Sequence, residues 1–341
     1  MKPLQISLVH QFEQQRNETW DVHFSLDGSR LISSDGNALY FWQLSENGSW
    51  SYEQSLSFHN ATFPRFAPDG KTLAFGGKEA FIKLISFEGR EIATFPSPSH
   101  ADWAFSPDGR WLVSSDTKRD ILLWNLTTYQ SSPISIPFPA FDLQRTEMDL
   151  SDEQVGRFRF TPDSQRLVFG ASSSEGYVHM CYFDPVHKRI VRQKTLPIGG
   201  ILTSAIAPDG KMLAILDVKR GFGPSQTEVF IYDLESLQLF YKLPSTTEGS
   251  YSLLTFSPDS HFLATSKTNG IVDIWSTSPF EYFASFAAHP GLSSYISDPI
   301  GGLDWSRTGY IATGGASVFE KDMKKTDFTI KLWKVEDEER Q

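Results

Sequence analysis

Short apolar runs alternate with compact polar turns along the whole chain, and the stretch AFSPDGRWLVSSDTKRDILLWNL, residues 104–126, shows the unit. Two apolar runs, the second ending on Trp124, flank a Pro-Asp-Gly turn and a polar turn. The first turn recurs. FSLDG ends at Gly28, FAPDG at Gly70, FSPDG at Gly109, FTPDS at Ser164, IAPDG at Gly210, FSPDS at Ser260, and a degenerate WSRTG at Gly309. Marked at Asp27, Asp69, Asp108, Asp163, Asp209, Asp259 and Thr308, the seven copies stand 39 to 55 residues apart. Self-similarity at such a period is the signature of a repeat architecture. Proline presets φ, aspartate bonds the backbone ahead of it, and glycine takes the conformation that closes the turn.

Each turn sits in the same context. A run such as VHF, WAF or LTF precedes it; RLIS, WLVS, FLAT or YIAT follows; a polar loop then leads to a run such as ALYFW, ILLW, IVDIW or TIKLW. A further apolar segment usually follows, as in EIATF, QLFYKL and EYFASF. With Pro and Gly confined to the turns, the pattern predicts four strands per unit. The final unit stops after TIKLWKV with the acidic tail 336–341 and has no fourth strand, whereas PLQISLVHQF, residues 3–12, offers a spare one before the first unit.

The chain resembles the WD40-repeat family over essentially all of its 341 residues. The turn is shared with other propellers, but third strands ending FW (41–42), LW (123–124), IW (274–275) and LW (332–333) point to WD40. The pattern departs at Ile85, Cys181 and Tyr232, which replace the tryptophan, and the Trp-Asp pair itself is reduced to Tyr232-Asp233. The resemblance implies an all-β, seven-bladed β-propeller of four-stranded antiparallel blades. Its ring would be closed by the N-terminal strand (about 3–12) joining the last blade, and 1–341 would be a single domain ending in the tail. It also implies His–Ser/Thr–Asp–Trp networks within blades: His289, Thr313, Asp327 and Trp333 in the last unit, and His100, Ser114, Asp116 and Trp124 in the third. Such networks satisfy buried polar groups and are structural.

Composition refines this picture. Aromatic residues make up 14% of the chain, with 27 Phe and 9 Trp, which favours strands. A net charge of −10 argues against a general nucleic-acid binder, whose footprint is a basic stripe. The single cysteine, Cys181, excludes an intrachain disulfide and suits a reducing compartment. The N-terminus lacks a signal-peptide apolar core, and no apolar run reaches the roughly 18 residues that span a bilayer. The sequons at Asn17, Asn47, Asn60 and Asn125 then read as chance matches. The expectation is a cytoplasmic protein without membrane contact, monomeric outside complexes.

A search for chemistry finds no catalytic, metal or cofactor motif. The eight histidines are scattered, with no pair at i, i+4 and no Cys/His cluster. No G-x-S-x-G elbow occurs, and Cys181 occupies a third-strand tryptophan position, where it reads as a small buried hydrophobe. GFGPSQ at 221–226 lacks the third glycine and following helix of a phosphate loop. Ser106-Pro107 and Ser257-Pro258 belong to the turn. The carboxylates at Asp152-Glu153 and Glu336–Glu339 lie in polar, solvated stretches. One alternative stays open: propeller enzymes assemble acids from several blades around the central channel.

The two faces of the expected ring are treated differently. Turns between first and second strands are short, as are links between third and fourth strands. Extra length goes to the opposite face, in 131–156, 171–176, 217–228, 288–302 and 314–327. Loops on a rigid scaffold are where binding tends to live. Candidate partner-binding residues there are Phe138, Phe141, Lys219, Arg220, Phe222, Tyr295, Phe319, Lys321, Met323 and Lys324. Exposed aromatics and cations suit a protein or peptide partner. The leading expectation is a non-catalytic interaction scaffold using this face. The alternative is a propeller hydrolase or small-ligand binder with its site at the channel.

Overall fold

The computed structural model describes residues 5–19, 21–77, 80–97, 102–116, 120–129, 133–136, 154–172, 177–184, 189–197, 201–219, 226–244, 249–289, 299–316 and 327–336. Every regular element among them is a strand. The chain opens with β1 (Gln5–Phe12). Blade 1 holds β2 (Asp21–Phe24), β3 (Arg30–Ser34), β4 (Gly36–Leu44) and the first half of β5 (Trp50–Phe66). Blade 2 takes the second half of β5, then β6 (Thr72–Gly77), β7 (Phe81–Ser86) and β8 (Glu91–Pro96). Blade 3 is β9 (Ala104–Phe105), β10 (Trp111–Ser115), β11 (Ile121–Asn125) and β12 (Ile134–Ile136). Blade 4 is β13 (Gln154–Phe160), β14 (Arg166–Ser172), β15 (Tyr177–Asp184) and β16 (Arg189–Pro197).

Blade 5 is β17 (Ile201–Ile206), β18 (Met212–Lys219), β19 (Gln226–Asp233) and β20 (Leu239–Lys242). Blade 6 is β21 (Tyr251–Phe256), β22 (Phe262–Lys267), β23 (Ile271–Thr277) and β24 (Phe280–Ala287). Blade 7 is β25 (Ile300–Trp305), β26 (Tyr310–Gly315) and β27 (Ile330–Glu336), completed by β1. All pairings are antiparallel, and β1 runs along β27 from Gln5↔Glu336 to Phe12↔Ile330 with a bulge between Leu8 and His10. The strand that opens the chain thus covers the edge at which it ends, as a closed ring requires. Strand β5 bends from one blade into the next near Asn60 and Phe63, both at positive φ.

Seven apolar clusters, one at each blade junction, hold the ring. Phe12, Trp42 and Leu332 join blades 7 and 1; Phe41, Phe75 and Ile85 join 1 and 2. Phe95, Trp103 and Trp124 join 2 and 3; Leu123, Phe158 and Cys181 join 3 and 4; Met180, Ile215 and Tyr232 join 4 and 5. Leu216, Tyr251 and Trp275 join 5 and 6; Ile274, Trp305 and Trp333 join 6 and 7. A recurring contact sets the third-strand aromatic against the fourth strand of the preceding blade. Phe12 stacks on Trp42 at 5.2 Å, and Phe95 meets Trp124 at 4.9 Å and Phe286 meets Trp333 at 4.5 Å in tilted pairs. Ile85, Cys181 and Tyr232, which replace the tryptophan, are buried at the equivalent register beside Leu73, Leu167 and Leu213.

The turn between first and second strands is built alike in most blades. The aspartate accepts from the backbone N–H two residues on: Ser29 to Asp27, Arg110 to Asp108 and His261 to Asp259, at 2.9–3.0 Å. The closing residue has φ of +66 to +81° where it is glycine, as at Gly70 and Gly309. Ser164 and Ser260 hold the same conformation at φ 60° and 63°. A side chain there costs about 1–2 kcal/mol, and each serine supplies an offsetting bond. Ser164 Oγ accepts from the Asp108 N–H at 3.0 Å and Ser260 Oγ from the Asp209 N–H at 2.9 Å, linking each turn to its neighbour's. The degenerate last turn does likewise, Thr308 Oγ1 donating to Gly28 O at 3.2 Å.

Replacing Ser260 should separate these terms. Ser260→Ala keeps the strained φ and loses the bond, so it should destabilise by about 1 kcal/mol. Ser260→Gly loses the bond but relieves the strain and should fall within about 0.5 kcal/mol of the parent. Urea unfolding decides: an unchanged Ser260→Ala variant would mean that the inter-blade bond contributes nothing, and equal losses for both variants would mean that the positive φ carries no strain.

Candidate functional site

First strands of neighbouring blades meet one another, as β2 meets β25, β13 meets β17, and β17 meets β21, so they line the central axis. Their side chains alternate in burial, as strand geometry demands. Counting back from the residue that opens each turn (Phe24, Phe66, Phe105, Phe160, Ile206, Phe256, Trp305), the second position packs between blades: Val22, Pro64, Trp103, Phe158, Ser204, Leu254 and Leu303 are all buried. The first and third positions form two tiers on the channel wall. The deeper tier reads His23, Arg65, Ala104, Arg159, Ala205, Thr255 and Asp304 around the ring. The tier nearer the long-loop mouth reads Asp21, Phe63, Asp102, Arg157, Thr203, Leu253 and Gly302. Charge is thus confined to blades 7, 1, 2, 3 and 4.

Across the seam of the ring, His23 lies between two carboxylates. Its Nε2 is 3.3 Å from Asp21 Oδ2 and its Nδ1 is 3.4 Å from Asp304 Oδ2. Both ring nitrogens can donate only when the ring is protonated. Burial on its own would lower the imidazole pKa, but Asp21 and then Asp304 outweigh it and raise it to about 9. Asp304 Oδ2 also accepts from the Phe24 N–H at 2.8 Å, tying blade 7 to blade 1. Glycines allow this seam: a Cβ on Gly302 would fall 2.6 Å from Val22 N, and one on Gly301 1.9 Å from Thr19 O.

On blades 2 to 4, Arg159 donates through Nε to Ser204 O at 2.9 Å and through Nη1 to Phe158 O at 2.7 Å. Asp102 Oδ2 is 3.7 Å from Arg159 Nη1. The Arg65 guanidinium lies over the Trp103 ring, 5.5 Å from its centroid. Among the described residues no group of three or more His, Cys, Asp or Glu is arranged to hold a metal ion.

The last blade brings together His289, Thr313, Asp327 and Trp333. Trp333 Nε1 donates to Thr313 Oγ1 at 3.0 Å, Thr313 Oγ1 lies 3.0 Å from His289 Nε2, and His289 Nδ1 lies 3.0 Å from Asp327 Oδ2. With Nδ1 protonated, the donors run in one direction from indole to carboxylate. Burial would raise the Asp327 pKa, but hydrogen bonds from His289, Lys331 and Thr329 hold it well below the usual carboxylate range. In blade 3, Trp124 Nε1 donates to Ser114 Oγ at 3.1 Å, while Asp116 Oδ1 accepts from the Asp120 N–H within the following turn. His100 lies outside the described residues. Blade 6 carries the same indole bond, Trp275 Nε1 to Thr265 Oγ1 at 3.1 Å. Its signal was available, a Ser or Thr two residues past the second-strand aliphatic that faces the tryptophan.

Of the long-loop candidates, Phe138, Phe141, Arg220, Phe222, Tyr295, Phe319, Lys321, Met323 and Lys324 lie outside the described residues. The loop expected at 217–228 narrows to 220–225, because the ladder continues through Asp217↔Glu228, Val218↔Thr227 and Lys219↔Gln226, which places Lys219 at the end of β18. The connection expected at 131–156 narrows to 137–153, because Ile134–Ile136 forms the fourth strand of blade 3 and β13 begins at Gln154. The channel charges were missed in the sequence. They stand one and three residues before the aromatic that opens each turn, a register that the turn itself supplies.

These features define a seven-bladed β-propeller with a charged, ion-paired channel wall. The family profile described as WD domain, G-beta repeat matches residues 89–125, which run from the last strand of blade 2 through the third strand of blade 3. The chain is similar to Protein hir1 of Aspergillus terreus, 28% identical over 179 residues, covering 47% of this chain and 17% of that protein. It is also similar to the WD repeat-containing protein 26 homolog of Arabidopsis thaliana, 22% identical over 300 residues, covering 77% of this chain and 49% of that one. The chain spans less than half the length of these relatives. Residues 89–125 thus carry a WD40 repeat, and the chain is similar to a WD-repeat protein over most of its length.

Two outcomes are expected. Thr313→Val removes both the acceptor for Trp333 and the partner of His289, leaving two buried groups unsatisfied, and should cost about 2–4 kcal/mol in urea unfolding. The His23 imidazole has a pKa of about 9 in the folded protein against the ordinary value of 6.5. Its contribution is therefore fully present below about pH 6.5 and lost as pH rises through 9, an effect on the order of 2–3 kcal/mol. The stability gap between the parent and His23→Gln should shrink from pH 6 to pH 10. A constant gap would refute the paired imidazolium.

Proposed function

We propose that this protein is a non-catalytic interaction scaffold that engages a protein or peptide partner through the long-loop face. The observation that supports the reading is the uneven placement of chain length. Connections from first to second strands are tight turns in all seven blades, whereas 137–153, 220–225, 288–299 and 316–329 all join strands on the other face. A propeller closes without that extra length, so it calls for a use outside folding. The aromatic, basic and methionine residues in these segments, Phe138, Phe141, Arg220, Phe222, Tyr295, Phe319, Lys321, Met323 and Lys324, are the proposed contacts, together with Lys219 at the end of β18.

On this reading the whole chain, 1–341, acts as one propeller domain with the acidic tail 336–341, monomeric outside its complexes. The net charge of −10 supports protein rather than nucleic acid as partner. No helix among the described residues is long and apolar enough to cross a membrane. A chain with one cysteine, buried between blades 3 and 4, suits the cytoplasm. The channel wall also supports a non-catalytic role. Asp21, Asp304 and Asp102 each face a cation at 3.3–3.7 Å, where an acid pair for hydrolysis would need carboxylates facing each other across substrate.

Replacing 137–153 with a short Gly-Ser linker, and separately 220–225, should leave the unfolding midpoint within a few degrees of the parent. Affinity capture from native cells should then lose the same partners in one or both variants. Capture unchanged by both replacements would overturn the reading.

A further inference from the structure

We propose that the channel wall of blades 2 to 4 is an oxyanion-binding site. Arg65, Arg157 and Arg159 there receive one carboxylate or phosphate group that arrives from the long-loop mouth. This site is carried by strands rather than loops and stands independently of the scaffold reading.

The charges on this arc do not balance. Three guanidiniums share one carboxylate, Asp102, whose Oδ2 lies 3.7 Å from Arg159 without a hydrogen bond among the described residues. The other two channel acids are held across the seam by His23 at 3.3 and 3.4 Å and by the N–H groups of Val22 and Phe24. Asp21 reaches Arg65 only through space. Arg65 carries the clearest sign of a missing ligand. Its Nε is buried with no hydrogen-bond partner among the described residues, while its guanidinium carbon lies over the Trp103 ring. Leaving a buried donor unmade is expensive, more so on a charged group.

Like charges are also gathered here rather than dispersed. Burial first, and then Arg65 and Arg157, lower the Arg159 pKa to about 10 against the opposing pull of Asp102 and Asp21. An anion between them would relieve that repulsion. The geometry leaves it a place: at the deeper level blade 3 contributes only Ala104, so no long side chain separates Arg65 from Arg159. Arg159 is fixed by its bonds to Ser204 O and Phe158 O, which preorganises the guanidinium. Arg157 is exposed one tier up, toward the long-loop mouth, where an incoming group meets it first. Planar guanidiniums in this number are suited to bidentate recognition of carboxylate and phosphate.

The group can be free or carried on a peptide side chain, and the experiment separates the two. The intact chain is titrated by calorimetry with inorganic phosphate, with a short peptide bearing one phosphoserine, with its glutamate version and with its serine version. Either phosphate or the acidic peptides should bind, the serine peptide should not, and Arg65→Gln and Arg157→Gln should each weaken binding about tenfold. Arg157→Gln alters an exposed side chain and keeps the test valid if Arg65→Gln fails to fold. The 137–153 replacement should leave inorganic phosphate binding intact, so failure of the loop-face reading and failure of this one are distinguishable. Tighter binding of an acidic peptide than of phosphate assigns the group to a partner side chain; phosphate alone assigns it to a small anion. No binding by any of these probes, or binding unchanged in both arginine variants, would overturn the proposal.

Discussion

The stacking of one blade's third-strand residue beneath the fourth strand of the blade before it is the contact on which the rest depends. No blade buries both of its own faces; each of the seven apolar clusters draws residues from two neighbours. A repeat of this kind cannot hide its hydrophobic face alone, so stability belongs to the junctions. An open array would leave one junction unmade and one sheet edge bare. The pairing of β1 with β27 removes both defects, placing Phe12 on Trp42 in the seventh cluster. The matched segment 89–125 starts on a fourth strand and ends on a third for the same reason: it spans one junction rather than one blade.

Closure brings the first strands together around an axis, and that decides what the channel can hold. Alternate residues of each inner strand are committed to the junctions; the others line the wall, and of these Ala104, Ala205 and Leu253 also pack against a junction cluster. Sequence can place charge there without disturbing the core. Two uses share the wall. Across the seam, Asp304, His23 and Asp21 form a clamp that joins the two ends of the repeat array, beside glycines that let the backbones approach. On blades 2 to 4 the guanidiniums exceed the carboxylates, and the wall there is poised for an external anion.

Much of the architecture was legible because its cause is local. A tight turn needs a positive φ at one fixed place, so Gly28, Gly70, Gly109, Gly210 and Gly309 mark the blades in the chain itself. Ser164 and Ser260 look like decay of that motif because the bonds that offset their strain come from another blade. The last-blade cluster of His289, Thr313, Asp327 and Trp333 was visible through a family resemblance, and the indole bond of blade 6 follows the same register. Blade 1 shows the limit of such analogy. Trp42 Nε1 is buried without a partner among the described residues, while Ser33 Oγ, which holds the corresponding place, accepts from Gln15.

The channel charges were hidden for a different reason. Arg65, Asp102 and Arg159 are far apart in sequence, and each alone reads as an ordinary polar residue in a short strand. Only the ring makes them neighbours. A common register, one or three positions before the turn, would have singled them out, because a propeller converts equal positions in successive repeats into one tier of a wall. Loops obey no such register, since their lengths differ from blade to blade and nothing in the fold constrains them. The same architecture therefore makes its channel derivable from the repeat and leaves its outer face to direct measurement. A hypothesis about the channel can be argued residue by residue, whereas one about the loops rests on where the chain has spent its length.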